Sequence, residues 1–226
     1  MRVLTYTVAM LLCGIFVQAQ NLEKLNTHAY IWEDLTVTKT NSGERRQVFE
    51  GYTKSLIYFE VHVSTLNPGN APHASHVHSD MEELIIVKEG LLEASINGTK
   101  KVLGAGSVIL ACIGDDHGLR NAGDSEATYY ILRWRTKDPA DMKRSKEAGG
   151  SQFYDWNEVE YETTSKGGKR QILQRPTALF EDLEMHVTTL NEGVMSHAEH
   201  VHESEEIILV IKGEVEESIN GTTYKG

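Results

Sequence analysis

The sequence predicts an all-β protein built from two related β-domains in tandem. Short runs rich in β-branched and aromatic residues lie between glycine, asparagine and proline, which is the pattern of a sandwich or barrel. Residues 60–90 also recur downstream as residues 184–213, displaced by 124 residues and then by 123. Solenoid units span roughly 20–50 residues, so this longer period indicates two whole domains.

Five runs in the first half carry the strand pattern. They are residues 55–62, 84–87, 91–96, 107–111 and 128–134. Asn97-Gly98 stands between two strand runs and predicts a hairpin with a type I′ turn, because that turn needs positive φ at both central positions. Asn220-Gly221 predicts the same hairpin in the second half.

One segment between the two halves carries helix signals instead. Asp138 is a suitable N-cap, Pro139 suits the first helical position, and Gly149-Gly150 is a typical stop. We therefore predict a helical linker over residues 136–150.

The first nineteen residues have the features of a secretory signal peptide. Arg2 supplies the positive charge, residues 8–17 are almost entirely apolar, and Ala19 suits a cleavage site before Gln20. An uncleaved membrane anchor is the alternative. Cleavage predicts a periplasmic or secreted protein with no membrane association and with Cys112 as its one cysteine, so that no intramolecular disulfide forms.

The net charge of the chain bears on which class of molecule it binds. The formal net charge is -11, and no run of Lys or Arg is present to displace counterions from phosphates. Nucleic acid is therefore excluded as the expected partner. A small-molecule ligand or substrate is expected instead, with a homodimer as a further possibility.

The recurring stretch carries a histidine and carboxylate pattern suited to a metal ion. His76 and His78 stand two residues apart, so on a strand both imidazoles project from one face. Glu83 follows at the start of the next strand run. The downstream copy repeats the three positions as His200, His202 and Glu206.

Two adjacent glutamates compete for the carboxylate position in each copy. Glu83 and Glu206 both stand seven residues before a glycine, and the repeat therefore selects them. Their neighbours Glu82 and Glu205 are expected to face outward as solvated carboxylates.

A later stretch of the first half ends a strand in a tight turn and returns with a histidine. Its motif positions are Gly106, Gly114, His117 and Asn121. Together with His76, His78, Glu83 and Gly90, this spacing resembles the two motifs of the cupin superfamily. Ala105 and Cys112 stand where that family usually has prolines, and one extra residue separates Gly69 from His76.

The resemblance implies a small jelly-roll β-barrel with a metal ion inside. It also implies that His76, His78, Glu83 and His117 form a site of three histidines and one carboxylate. It covers residues 27–135 as an N-terminal cupin domain and residues 151–226 as a partial C-terminal one. The predicted fold is thus all-β, with two cupin-type jelly-roll β-barrels in tandem, the second incomplete.

The second half of the given sequence ends before the counterpart of His117. Gly226 aligns with Leu103, so counterparts of residues 104–135 do not occur in it. A fragment of a longer two-domain cupin is the expected explanation. The alternative is a natural half-barrel completed by a partner chain.

For four other histidines and two arginines, the sequence indicates a role but leaves an alternative open. His73 and His197 recur, and contact with a ligand or substrate and simple surface exposure both stay open for them. His62 and His186 are expected to be packed core or edge histidines. Arg133 and Arg135 share one strand face, and solvent-facing salt bridges are favoured there over a clamp for a substrate carboxylate.

Three classes of function are compatible with this ligand set. Three imidazoles and one carboxylate leave open positions in an octahedral shell, which suits Fe, Mn, Ni, Co or Cu more than a closed structural Zn site. The first class is a metal-dependent dioxygenase or isomerase, the second a ligand-binding or sensory protein, and the third a metal-stabilised structural domain. No general base outside the ligand set can be identified, so the catalytic residues are unknown.

Overall fold

The computed structural model describes residues 22–226, and the predicted signal peptide lies outside the described residues. The first half consists of β1 (Glu23–Lys24), a 3₁₀ turn (Trp32–Asp34), β2 (Val37–Thr40), β3 (Gly43–Tyr52), β4 (Leu56–Leu66), β5 (His76–Val77), β6 (Glu82–Glu89), β7 (Leu91–Ile96), β8 (Thr99–Gly104), β9 (Val108–Ala111), β10 (Asp116–Asn121) and β11 (Ala127–Thr136). The rest consists of α1 (Met142–Glu147), β12 (Gln152–Tyr154), β13 (Glu162–Thr164), β14 (Gly167–Arg175), β15 (Leu183–Leu190), β16 (Glu216–Ile219) and β17 (Thr222–Lys225). The all-β prediction is confirmed.

Two sheets form a barrel from the strands of the first half together with β12. The larger has the order β1-β3-β4-β11-β6-β9-β12, with β2 also paired to β3, and the smaller has the order β5-β10-β7-β8. Apolar side chains from both sheets fill the space between them, among them Ile85, Leu92, Leu103 and Tyr129. This arrangement is the jelly roll that the resemblance implied.

Strand β6 shows how the larger sheet is buried on both faces. Ile85 and Val87 belong to the barrel interior, whereas Leu84 and Ile86 belong to a separate cluster on the outer face. Because strand side chains alternate between faces, Glu83 shares the interior side and Glu82 the outer side. Leu173 and Met185, among others from the second half, cover the outer face.

The second half contains a smaller set of paired strands. β13, β14 and β15 form one antiparallel sheet, and β16 and β17 form a hairpin. Gly167 pairs with Leu190 as Gly43 pairs with Leu66, which is the same register displaced by 124 residues. Residues 205–212, which align with β6, form no strand.

Both predicted hairpin turns are present. Asn97 and Gly98 have φ values of 47° and 81°, and Asn220 and Gly221 have φ values of 51° and 77°. These positive values are the ones that a type I′ turn requires. The sequence prediction is therefore confirmed at both positions.

The helix begins later than the sequence suggested. Asp141 is the N-cap, since its side chain accepts a hydrogen bond from the Arg144 amide at 2.9 Å. The prediction of Asp138 as N-cap was wrong, because its backbone carbonyl accepts from the Thr136 hydroxyl instead. The predicted stop is correct, since Gly149 and Gly150 both have positive φ.

Candidate metal centre

Three histidines converge at one end of the barrel. His76 lies in β5, and His117 lies directly opposite it in the neighbouring β10. His78 stands two residues after His76, so the two imidazole rings lie on the same side of the chain. One ring nitrogen from each histidine lies within 4.8 Å of the other two, and the cluster could hold a metal ion.

Glu83 approaches the same point from the opposite sheet. Its carboxylate oxygens lie 3.6 Å from His78 Nε2 and 3.7 Å from His117 Nε2, while the Nε2 atoms of His76 and His78 are 3.1 Å apart. Two ligands about 2.1 Å from one ion, at angles between octahedral and tetrahedral, lie roughly 3.0 to 3.4 Å apart. The separation between His76 and His78 lies in this range, whereas both Glu83 separations lie just beyond it. The histidine nitrogens therefore fit a shared ion, and Glu83 stands beside their cluster rather than within it.

A contact with the backbone of the preceding turn orients the His117 ring for metal binding. Its Nδ1 lies 3.1 Å from the Asp115 carbonyl oxygen, which fixes the tautomer that leaves a lone pair on Nε2. That Nε2 atom is buried and has no hydrogen-bond partner in the protein. A buried nitrogen without a partner is costly unless a ligand or ion satisfies it.

Burial and neighbouring charges shift the pKa of two residues at the cluster, His76 and Glu83. Burial, followed by the neighbouring charges of His117 and His78, lowers the pKa of His76 to about 4. Burial would raise the pKa of Glu83, but hydrogen bonding from His78 and the charges of His117 and Arg133 outweigh it and hold that pKa below its ordinary value. A neutral His76 imidazole and an ionised Glu83 carboxylate are the forms of these two side chains that bind a divalent ion.

His73 stands at the exposed rim of the cluster. Its ring meets the His76 ring edge-on with centroids 4.5 Å apart, and its Nδ1 contacts the Ala74 carbonyl at 2.8 Å. The residue is exposed and is not part of the compact cluster. It therefore contacts a predicted ligand while remaining open to solvent.

The prediction that Glu82 is a solvated carboxylate was wrong. Glu82 has 0% exposure, and its carboxylate accepts hydrogen bonds from the Thr177 hydroxyl at 2.6 Å, the Ala178 amide at 2.9 Å and the Trp134 indole at 3.3 Å. The repeat correctly set Glu82 apart from the histidines, since its carboxylate contacts Thr177, Ala178 and Trp134 instead. The face it points to is covered by the second half of the chain, which strand periodicity alone does not reveal.

A row of alternating charges crosses the barrel interior beside the histidines. Arg133 pairs in register with Glu60 on one side and with Glu83 on the other. Its Nε donates to Glu60 at 2.8 Å, and Glu60 also accepts from Tyr58 at 2.9 Å. Burial opposes ionisation of Glu60, but hydrogen bonding and charge from His62 and Arg133 hold its pKa far below the ordinary value.

The favoured assignment of Arg133 to a solvent-facing salt bridge was therefore wrong. Its partner Glu60 is 2% exposed, and Arg45 also donates to that carboxylate. Arg135 does fit the prediction, since it pairs with the exposed Asp80 at 3.0 Å. Sequence reasoning missed Glu60 and Tyr58, although their alternation with apolar residues of β4 placed them on the same face as His62.

His62 is buried, as expected for a packed core histidine, and lies 3.0 Å from Glu60. His186 is exposed on β15, an edge strand of its sheet, and its Nδ1 lies 3.2 Å from Glu184. Each histidine thus contacts the glutamate two residues before it, but His62 is buried and His186 is exposed.

The second predicted ligand set is only partly assembled. His202 Nε2 lies 3.0 Å from Glu206, and the rings of His200 and His202 are 5.4 Å apart. All three residues are exposed. His197 packs edge-on against His200, as His73 does against His76. Glu205 is exposed, as predicted, but contacts residues of the first half.

Within residues 22–226, no helix has the length and apolar character needed to cross a membrane.

Comparison with known proteins assigns the class of the first half. Residues 62–132 match the family model for the cupin domain. A comparison with curated proteins finds no match. The central part of this barrel is therefore a cupin domain, in a protein whose regular secondary structure is nearly all β-strand.

Several solved structures are similar to part of the chain. An RmlC-like cupin from Shewanella frigidimarina NCIMB 400 shares 18% identity with a TM-score of 0.41, covering 50% of this chain and 95% of its own. KdgF from Halomonas sp. shares 17% identity with a TM-score of 0.43, covering 50% and 97%. A predicted oxalate decarboxylase from Thermotoga maritima shares 18% identity with a TM-score of 0.41, covering 48% and 99%.

Proposed function

We propose that this chain is an exported, divalent-metal-binding cupin with two related repeats, and that it acts as a metal-dependent small-molecule enzyme of dioxygenase or isomerase type. The observation that carries the proposal is the convergence of His76, His78 and His117 on one point inside the barrel, with Glu83 beside them. A divalent ion held there would act as a Lewis acid toward an oxygen ligand of the substrate.

The residues around the cluster define what the site would accept. His117 and Glu83 are buried, whereas His73 and His76 lie toward solvent, so a ligand would enter past the latter two. Arg135 lies over the Tyr58 ring at 4.7 Å and adds a guanidinium near this interior face. We propose a small, oxygen-rich substrate, such as an enolisable or diol compound.

The two-repeat arrangement is proposed from matching local structure. β14 and β15 share the register of β3 and β4, and both pairs have a bulge just after the equivalent glutamines Gln47 and Gln171. Gln47 donates to the Phe49 carbonyl at 2.8 Å, and Gln171 donates to the Leu173 carbonyl at 2.9 Å. These details support an internal duplication in which the second repeat offers His200, His202 and Glu206 as a further ligand set.

The test is metal analysis of the full-length chain after export, followed by oxygen uptake with candidate substrates. His76→Ala should lower the metal bound per chain, because it removes one of the converging donors. His73→Ala is the matched control, since it changes an exposed neighbouring histidine outside the cluster. Equal metal content in the wild type and His76→Ala would refute the ligand assignment.

A non-catalytic ligand-binding protein is the second candidate. It is favoured by the state of Glu60, an interior carboxylate separated from Glu83 by Arg133 on the strand between them. Glu60 is committed to hydrogen bonds with Arg45, Arg133, Tyr58 and His62, which leaves it unsuited to accept a proton. Ligands that raise the melting temperature of the metal-loaded protein without any turnover would support this candidate.

A further inference from the structure

The turn before β10 contacts two predicted ligands of the metal centre through its backbone. Within this turn, residues 112–115, the Asp115 carbonyl lies 3.1 Å from His117 Nδ1. The Gly114 amide donates to the His78 carbonyl at 2.9 Å, and Gly114 has a φ of 86°. The position of this turn therefore bears on how both histidines face the centre.

The carboxylate of Asp115 is held by two segments that are distant from each other in sequence. One oxygen accepts from the side-chain amide of Asn97 at 2.7 Å, and the other accepts from the Ser151 hydroxyl at 2.6 Å. Asn97 lies in the turn between β7 and β8, and Ser151 follows α1 and its glycine stop. Because each oxygen has its own donor, the carboxylate cannot rotate without losing a hydrogen bond.

The same two residues also bond the backbone at the two ends of the turn. The Ser151 hydroxyl accepts from the Cys112 amide at 2.8 Å. The Asn97 side-chain oxygen accepts from the Asp116 amide at 3.0 Å, and the Asn97 backbone amide donates to the Asp116 carbonyl at 2.8 Å. Ser151 thus fixes the start of the turn, and Asn97 fixes its end.

Within residues 22–226, the side chains of Asn97 and Ser151 make no hydrogen bond to a predicted metal ligand. Ser151 also lies outside residues 62–132, the part of the chain that matches the cupin domain model. Any effect of these two side chains on the metal centre therefore passes through the turn.

We propose that Asp115, Asn97 and Ser151 are positioning residues that hold the turn where the Asp115 carbonyl accepts the Nδ1 proton of His117. The His117 lone pair then lies on Nε2, the buried atom that has no hydrogen-bond partner within the described structure. The segment after α1 thus helps to set the geometry of the metal centre. This inference rests on the proposed metal site, and it does not depend on whether the protein is an enzyme.

The first test is the affinity of the full chain for Zn²⁺, read at the imidazole NMR signals of His117 in competition with a chelator of known affinity. His117→Gln assigns those signals. Ser151→Ala and Asn97→Gly each remove one donor to Asp115, so each should lower Zn²⁺ affinity by about tenfold. Asp115→Ala removes the carboxylate itself and should lower the affinity by up to about a hundredfold.

The second test is the tautomer of His117 in the metal-free protein, read from the ring nitrogen shifts at about pH 8, above the ordinary histidine pKa. The wild type should carry the proton on Nδ1. Ser151→Ala and Asn97→Gly should show a mixture of the two neutral tautomers, because a displaced Asp115 carbonyl no longer selects one of them. A residue that only stabilised the fold would leave this equilibrium unchanged.

Ser107→Ala is the matched control. The Ser107 hydroxyl also accepts from a backbone amide, that of Trp156 at 3.0 Å, and Ser107 is fully buried. It immediately precedes β9, whose other end, Ala111, pairs with Glu83. Ser107→Ala should therefore lower the melting temperature without changing Zn²⁺ affinity or the His117 tautomer. Ser151→Thr, which keeps the hydroxyl, should retain the wild-type affinity and tautomer.

Should Ser151→Ala fail to fold, Asn97→Gly still tests the inference, because Asn97 is exposed and glycine suits its positive φ. Wild-type affinity and tautomer in both variants would overturn the inference, as would equal losses in Ser107→Ala. If the wild type binds no Zn²⁺, the proposed metal site fails, and the His117 tautomers still decide whether these residues hold the turn.

Discussion

Replacing Arg133 with methionine should destabilise the protein strongly, because Arg133 neutralises a carboxylate inside the barrel. Glu60 is 2% exposed, and the side chain of Arg133 is 26% exposed. Breaking a buried ion pair by removing one partner costs about 3–5 kcal/mol. Glu60 keeps Arg45, Tyr58 and His62 as partners, so we expect the lower end of that range, about 3 kcal/mol.

Urea denaturation followed by circular dichroism measures this effect. With a slope of about 2 kcal/mol per molar urea, the midpoint should fall by roughly 1.5 M. Arg135→Met is the matched control on the same strand face. Its partner Asp80 is 56% exposed, so its loss should cost less than about 1 kcal/mol.

A double variant and the pH dependence of stability also test the buried pair of Glu60 and Arg133. Glu60→Met combined with Arg133→Met should be more stable than Arg133→Met alone, since no unpaired charge stays buried. Because the pKa of Glu60 is depressed in the folded state, its contribution is present above the ordinary carboxyl pKa and is lost as the pH falls below it. A cost for Arg133→Met as small as that for Arg135→Met would refute the buried-pair account.

The remaining predictions concern the ligands, a turn and export. His76→Ala should lose metal by elemental analysis, whereas Glu82→Ala should retain metal but unfold at lower temperature; equal metal loss in both would contradict the choice of Glu83 over Glu82. Gly90→Ala should lower the melting temperature, because Gly90 has a φ of 79° and an added Cβ would lie 2.7 Å from the Glu126 carbonyl oxygen. An unchanged melting temperature would count against that crowding. Mass spectrometry of protein exported from a Gram-negative host should find Gln20 at the N-terminus, and an intact leader in the membrane fraction would indicate an anchor instead.

Local sequence rules determined much of the first barrel. The Asn97-Gly98 turn follows from backbone sterics, and the shared face of His76 and His78 follows from the two-residue period of a strand. The spacing to the following glycine, which the repeat shares, selected Glu83 and not Glu82 as the residue that faces the histidines. These properties depend on residues close together in the chain, so a single sequence contains enough information to predict them.

Tertiary structure alone decided what surrounds the outward-facing and interior polar residues. Glu82 is buried by Thr177 and Ala178, which lie 95 and 96 residues away in sequence. Glu60 is paired with Arg133 across 73 residues, because β4 and β11 become neighbours in the sheet. Strand periodicity predicts which face of the sheet a side chain occupies. Whether water, a charge or a distant segment of the chain covers that face depends on long-range packing that no local pattern encodes.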